Sequence, residues 1–536
     1  DSCIEMGSIT DTSFSLTVYR GTFIQLPRLS DTGSDKAKPE LIRSQGALWV
    51  SAADGRIKGW DWQAHDDTAF ANLMTQNGWV DVDSDLNGQE SKVKVKLVTA
   101  SEEKNEFFFP GFIDTHIHAP QYPNAGLFGS STLLDWLETY TFPMESGFGT
   151  QPDGKTGHQL STKASETPIP AQTIYNQVIA RTLAHGTTCA SYFATIHIPA
   201  TNALASLCKK HGQRAFIGRV CMDNPDFCPT YYRDASAEDS LSATKATIAH
   251  ITSIDPTGSL INPIITPRFA PSCTRPSLEA LGQLAASHTP PLHIQTHIAE
   301  NTNEVALVND LFPEAGSYTA VYDKYDLLTP RTILAHAVHL SAAEKALIAK
   351  RDAKISHCPA SNSALGSGIA PVRSFLDLGI TVGLGTDVSG GYSPSILEAA
   401  RQACLASRLL GHTESFGKDG DEAARVKLSV PESLYLATRG GAAVVDMAGD
   451  IGGFDLGMLW DVQLIQLGGV QGFERSPLDG ECGDGLVDLV GSGPVGNVNL
   501  FGTETWEEKV QKWVWGGDDR NVKAVWVAGR LVHTRG

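Results

Sequence analysis

Five residues of metal-binding type stand at points where apolar runs end, and a carboxylate stands three positions after one of them. Phe112-Ile-Asp-Thr-His-Ile-His118 follows the apolar run Phe107 to Pro110 and reads as a β-strand. Side chains alternate between the faces of a strand, so His116 and His118 point the same way, about 7 Å apart at Cα. Metal–nitrogen bonds are about 2 Å long, and inward-leaning imidazoles close the remaining gap. The pair alone is weak, because most histidines are ordinary core or surface residues. Three further strand-like segments each end in a matching group: His297, His336 and Asp387. Imidazoles with one carboxylate form a borderline-hard set that suits Zn²⁺, with Fe²⁺ the second choice. A metal with an open position lowers the pKa of water towards ~7 and makes a nucleophile at neutral pH. Glu300 lies just beyond the strand that carries His297, placed to shuttle protons without being a ligand.

Each residue also has an ordinary reading. Glu300 alone would serve as a helix-start carboxylate. His293 and Gln295 share a strand face with His297, so polar inward residues occur there without binding metal. His339 and His357 read as hydrogen-bonded neighbours. The five candidate ligands together are harder to explain as coincidence.

Such a set needs strands converging on one axis. Between about 107 and 450, eight strand candidates alternate with longer helix-like stretches. They are Gly111–His118, Thr187–Thr195, Ala215–Met222, Ile261–Phe269, Leu292–Ile298, Thr332–Val338, Lys354–Cys358 and Thr381–Asp387. Ala171–His185 and Leu278–His288 are among the helix candidates. The alternation implies an α/β fold, a parallel (β/α)8 TIM-type barrel, with a doubly wound open sheet as the rival. The barrel is preferred because every candidate ligand falls at a strand's C-terminal end, where barrel active sites sit.

The first hundred residues read as β-rich, with partial alternation over Leu16 to Leu26 and a hairpin signal at Asp54-Gly55. Asp461 to Leu467 and Val522 to His533 are β-like again, with Ala528-Gly529 at a turn. Both ends are therefore expected to pair into one small β-sandwich, 1–106 with 455–536, around a barrel over 107–454. The polar stretches 31–38 and 81–91, and Ser146 to Ala171, read as surface loops.

The bulk composition fits. The chain has 536 residues, 41% of them hydrophobic, which suits a barrel with an added module. Its net charge of −18 and lack of a long basic run argue against nucleic-acid binding. No stretch approaches the roughly 18–20 apolar residues of a membrane span. Nine irregularly spaced cysteines without a Cys-x-x-Cys pair read as reduced thiols, and with no leader-like start this points to the cytoplasm.

Several stretches carry a family resemblance. Pro110-Gly-Phe-Ile-Asp-Thr-His-Ile-His118 with Gln121-Tyr122, Tyr140-Thr-Phe-Pro143, His185-Gly-Thr-Thr188, Tyr192-Phe-Ala-Thr195 and Thr266-Pro-Arg-Phe269 are the first of them. His293-Ile-Gln-Thr-His-Ile-Ala-Glu-Asn301, Ser317-Tyr-Thr319, Val321-Tyr-Asp-Lys324, Leu334-Ala-His336 and Ser356-His-Cys-Pro359 follow. Gly383-Leu-Gly-Thr-Asp-Val-Ser-Gly-Gly-Tyr392 and Gly516-Gly-Asp-Asp-Arg-Asn521 complete the set. The chain resembles the amidohydrolase superfamily and, within it, the guanine deaminases; 147–167 and much of 468–503 are insertions. The two-histidine opening and Gly-Thr-Asp are superfamily-wide, whereas Thr-Pro-Arg-Phe, His-Ile-Ala-Glu-Asn and Gly-Gly-Tyr are more specific.

The resemblance implies hydrolytic deamination of guanine to xanthine and ammonia, and a homodimer. Attack falls at purine C2, with His116, His118, His297, His336 and Asp387 as metal residues. Asp387 would take the water proton, Glu300 would protonate N3 and serve the departing ammonia, and His336 would orient the nucleophile or bind metal. Arg268, all donors, suits the O6 or N7 edge, and Gln121 can meet the amide edge in either direction. Phe269 and Trp136 would sandwich the ring, or simply pack. No lysine stands near the end of the fourth strand, where binuclear relatives carry a carboxylated one, so one Zn²⁺ per subunit is expected. Rival readings are an aminohydrolase acting on 8-oxoguanine or a pterin, a binuclear cyclic amidase, which Arg268 disfavours, and a non-catalytic scaffold.

Overall fold

The computed structural model describes residues 14–28, 38–84, 92–149, 157–158, 169–413, 420–470 and 496–535. Eight parallel strands form a nearly closed barrel in chain order. They are Phe112–His118, Thr187–Phe193, Arg214–Gly218, Ile261–Pro267, His293–Ile298, Thr332–His336, Lys354–His357 and Val382–Leu384. These are the eight segments expected from sequence, each within a few residues of its expected bounds. Legibility came from burial: the first, second, third and sixth strands are buried at every residue, as a sheet covered on both faces requires. The first and last strands meet where the Asp387 amide donates to the His116 carbonyl (2.8 Å) and the His118 amide to the Val388 carbonyl (3.0 Å). That junction brings the two ends of the barrel sequence to the same place. Helices Ala171–Ala184 and Arg275–Ala286 occupy the expected crossover positions.

Strands from both ends of the chain join in a second, nine-stranded sheet. Leu16–Gln25 is its hub. It pairs antiparallel with Ile42–Ser51 along its whole length. On its other edge it pairs parallel with Val93–Thr99 through residues 16–20, then with Glu106–Pro110 at residues 22–23. The sheet thus forks at Gly21, whose φ is +138° and where a Cβ would lie 2.7 Å from the Ala100 Cβ. Alternation along the hub feeds an apolar cluster on each face. Tyr19 and Phe23 pack with Phe108, Trp460 and Trp526, while Val18 packs with Ala47, Trp79 and Val95.

Two hairpins tie the ends together. Asp54-Gly55 and Ala528-Gly529 form the turns expected for them, and a Cβ on Gly55 would lie 2.0 Å from the Ala528 carbonyl oxygen. Only glycine allows that approach. Glu106–Pro110 pairs with Val462–Gln466, and Gly111 leads directly from this sheet into the first barrel strand. A buried ion pair also joins the two sheets: Arg214 meets Asp461 through Nε–Oδ2 (3.1 Å) and Nη2–Oδ1 (3.2 Å).

The N-terminal stretch is less uniformly β than its composition suggested. Asp67–Gln76 is a helix capped by the Asp66 side chain. The expected loops at 31–38 and 81–91, and Ser146 to Ala171, lie largely outside the described residues, as does most of 468–503. Within 146–171, Gly157–His158 and Ile169–Pro170 pair antiparallel. The seven described cysteines are buried and unpaired; Cys3 and Cys482 lie outside the described residues. No described helix is long and apolar enough to cross a membrane.

Candidate metal centre and purine pocket

The C-terminal ends of four barrel strands deliver the histidines and the aspartate to one point. One ligand atom each from His116, His297, His336 and Asp387 lies within 4.8 Å of all the others. His118 joins them: its Nε2 is 3.2 Å from both His116 Nε2 and His297 Nε2, and 3.4 Å from Asp387 Oδ1. His116 Nε2 lies 3.1 Å from the same oxygen. The backbone turns sharply at these strand ends. His336 (φ 73°), Ala337 (φ 54°), Asp387 (φ 49°) and Ala299 (φ 48°) adopt left-handed conformations that non-glycine residues rarely take. Such strain is commonly stored where side chains must be aimed.

Hydrogen bonds fix the imidazole tautomers. His297 Nδ1 donates to the Arg268 carbonyl at 2.6 Å, and His336 Nδ1 faces Asn362 Oδ1 at 2.9 Å. The Nε2 atoms of both rings therefore carry lone pairs into the centre. His336 Nε2 is buried and makes no hydrogen bond. Lone pairs and a carboxylate crowded into a buried space repel one another, and a cation relieves that repulsion. The residues present thus fit a metal ion.

The titration behaviour agrees for His118 and His297, whereas His336 is shifted upward: burial pulls it down, and the charges of Glu300 and Asp387 outweigh that. Burial, and then the neighbouring His116, hold the pKa of both His118 and His297 well below the ordinary histidine range. For Asp387 burial pushes upward, but the charge of His116 and its hydrogen bond outweigh that and keep the carboxylate ionised. Asp114, beneath His116, accepts from the Thr386 amide (3.0 Å) and Thr386 Oγ1 (2.5 Å), which fastens the first strand to the eighth. Gly385 completes the packing, since a Cβ there would sit 2.8 Å from the His116 Cβ.

A pocket opens beside this centre. It is lined by His118, Gln121, Trp136, Arg268, Phe269, His297, Glu300, His336 and Asp387, with Glu304 and three leucines. All the residues singled out from sequence line it except His116, which lies beneath. Glu300 is buried, accepts from Ser367 Oγ at 3.0 Å, and lies 3.4 Å from His336 Nε2. Burial pushes its pKa up to about 7, against the opposing pull of His336. Capping of the following helix falls instead to Asn301 and Glu304. Phe269 packs edge-on against Phe227, and the Trp136 indole donates to the Leu127 carbonyl (3.4 Å). Both belong to one apolar cluster on the cavity wall.

The remaining histidines lie elsewhere. His293 starts the fifth strand beside Arg331, away from the centre. His339 Nε2 bonds the Ser367 carbonyl at 2.7 Å, whereas His357 Nδ1 is buried without a hydrogen bond.

Sequence reasoning missed three contributors. Glu145 holds Arg268 and Gln121 from behind. Phe193 lies 4.6–4.9 Å, ring to ring, from His116, His118 and His297. Ser367 bonds Glu300. Glu145 stands two positions after Tyr140-Thr-Phe-Pro143, the nearest thing to a signal for it.

A barrel with these ligands at its strand ends defines a class, and the chain belongs to the amidohydrolase family, whose model matches residues 107–532. Its relatives narrow the class to the guanine deaminases. A protein of Schizosaccharomyces pombe named "Probable guanine deaminase" is 47% identical over 80% of this chain and 71% of its own length. The guanine deaminase of Dictyostelium discoideum is 40% identical over 84% of this chain and 86% of its own. The crystal structure of guanine deaminase from C. acetobutylicum with bound guanine superposes with a TM-score of 0.71 at 28% identity, covering 97% of this chain and all (100%) of that one.

Proposed function

We propose that this chain hydrolyses guanine to xanthine and ammonia, using one Zn²⁺ per subunit. The convergence of four imidazoles and Asp387 beside a buried, protonatable Glu300 carries the reading. His116, His118, His297 and Asp387 would hold the ion, with His336 as a further ligand or an orienting group. When bound, the ion lowers the pKa of water and so provides a nucleophile at neutral pH.

The residues of the chain do the rest. Asp387, kept ionised, accepts the proton released as water attacks purine C2. Glu300 in its protonated form donates to N3. The resulting carboxylate takes the hydroxyl proton at C2 and passes it to the departing amino group, and the proton held by Asp387 restores the Glu300 acid. The C2–N bond breaks, ammonia leaves, and the carbonyl of xanthine forms. Arg268 offers donors to the O6 or N7 edge and nothing to an amino group in their place, which disfavours adenine. Gln121 meets the amide edge, and Trp136 and Phe269 flank the ring. No lysine lines the cavity among the described residues, and the proposal keeps to a single ion on that ground.

A homodimer, which rests on the family resemblance, and a cytoplasmic location, which rests on the unpaired cysteines, belong to the same proposal; sedimentation and fractionation test them. The enzymatic reading is tested by ammonia release from guanine, 8-oxoguanine, a pterin and adenine. Guanine should give the highest kcat/KM, and a clear preference for another heterocycle would replace it.

A further inference from the structure

The cavity contains a charge arrangement that the metal chemistry does not use. Gln121 and Arg268 line it, while Glu145, on the short helix Phe142–Ser146, sits behind them and is fully buried. The Glu145 carboxylate accepts four hydrogen bonds. They come from Gln121 Nε2 (2.7 Å), Tyr232 OH (2.6 Å), Arg268 Nη1 (2.8 Å) and Arg268 Nη2 (3.2 Å).

Two consequences follow. A carboxylate only accepts, so the Gln121 side chain must turn its NH₂ towards Glu145. Its Oε1 then accepts from the Ser389 amide at 3.3 Å, which leaves the amide a single orientation. The sequence allowed Gln121 either direction; Glu145 removes that choice. The second consequence is electrostatic. Arg268 and Glu145 form a bidentate pair whose charges cancel, so the Nε–H and the remaining Nη hydrogens are donors on a neutral unit.

We infer that Glu145 is the positioning residue for O6 recognition: it locks the Gln121 amide and the Arg268 fork, and it cancels the Arg268 charge so that the pocket takes a neutral lactam oxygen rather than an anionic group. This inference rests on the guanine reading of the site. Tyr232 holds the second carboxylate oxygen and belongs to the same support.

The test is Glu145→Gln in the metal-loaded full chain, with guanine as substrate and purine-6-carboxylate as competitor. Glutamine keeps the shape but loses the charge and two acceptor positions. The guanine KM should rise about tenfold or more with kcat changed less than about fivefold, because the lost contacts serve binding rather than the chemical step. Purine-6-carboxylate should tighten about tenfold relative to guanine, because the guanidinium is now uncompensated. A merely structural role would weaken both ligands alike, and that result, or unchanged constants, overturns the inference. If Glu145→Gln does not fold, Tyr232→Phe decides. Loss of this one hydrogen bond to the carboxylate should raise the guanine KM about threefold or more, and an unchanged KM overturns the inference. A wild-type chain inert towards guanine sinks the functional reading; an active wild type with an unaltered variant sinks this inference alone.

Discussion

Replacing Glu300 with glutamine separates proton transfer from everything else in the site. The carboxyl is buried, its Oε1 accepts from Ser367 Oγ at 3.0 Å, and its other oxygen lies 3.4 Å from His336 Nε2. Glutamine reproduces the volume and the Ser367 bond but can neither give up nor take a proton at neutral pH. Glu300 is not among the clustered ligand atoms, so metal content should stay at the wild-type level. General acid–base catalysis contributes about 10²–10⁴-fold, which is roughly 2.7–5.4 kcal/mol of barrier. Because burial already disfavours the ionised form, the neutral amide should cost little stability. The assay is guanine loss in the ultraviolet with metal analysis of the same sample. The expected result is kcat down at least about a hundredfold, with KM and metal changed little. Turnover within about threefold of wild type would remove Glu300 from the mechanism.

Other perturbations follow from the same geometry. Arg268→Met should cut kcat/KM for guanine about a hundredfold while leaving metal bound, and it should destabilise the fold by about 3–5 kcal/mol because Glu145 is left buried and unpaired. Adding Glu145→Gln to that variant should recover much of the stability, as denaturant midpoints would show. Arg214→Met should likewise cost about 3–5 kcal/mol through Asp461; a loss below about 1 kcal/mol would contradict the buried pair. His293 supplies a pH dependence. Burial, with Arg331 nearby, pushes its pKa down to about 3. The unfolded chain takes up a proton below about pH 6.5 that the folded chain refuses. The neutral His293 therefore costs nothing above pH 6.5, and stability is lost as pH falls from there towards about 3. His293→Gln should flatten that part of the stability profile; an identical slope in both proteins would rule His293 out.

The residues of the metal centre were legible because each sits at the end of a short apolar strand. Sequence order alone therefore places His116, His118, His297, His336 and Asp387 on one rim once a barrel is assumed. The eight strands were legible for the same reason, being buried on both faces. Glu145 was not legible. It lies on a five-residue helix, and its partner Arg268 is 123 residues away, so no local pattern couples them. Phe193 reads as core until three imidazoles are found against it. In the second sheet, partial alternation marked Leu16–Gln25 and the Asp54-Gly55 signal marked the hairpin that follows it, whereas Val93–Thr99 carried no reading of its own. The fork at Gly21 and the Gly55–Ala528 contact depend on packing between distant segments. Composition likewise concealed helix Asp67–Gln76, whose signal is the Asp66 cap rather than the residues around it.

The most direct test of the central claim is one titration. The protein is stripped with a chelator, Zn²⁺ is returned in fractions of an equivalent, and guanine loss is read together with ammonia release. The account predicts no turnover in the stripped protein and activity that rises linearly to a plateau at one Zn²⁺ per chain. Full activity without metal would contradict the account, and a plateau at two ions per chain would contradict its single-metal centre.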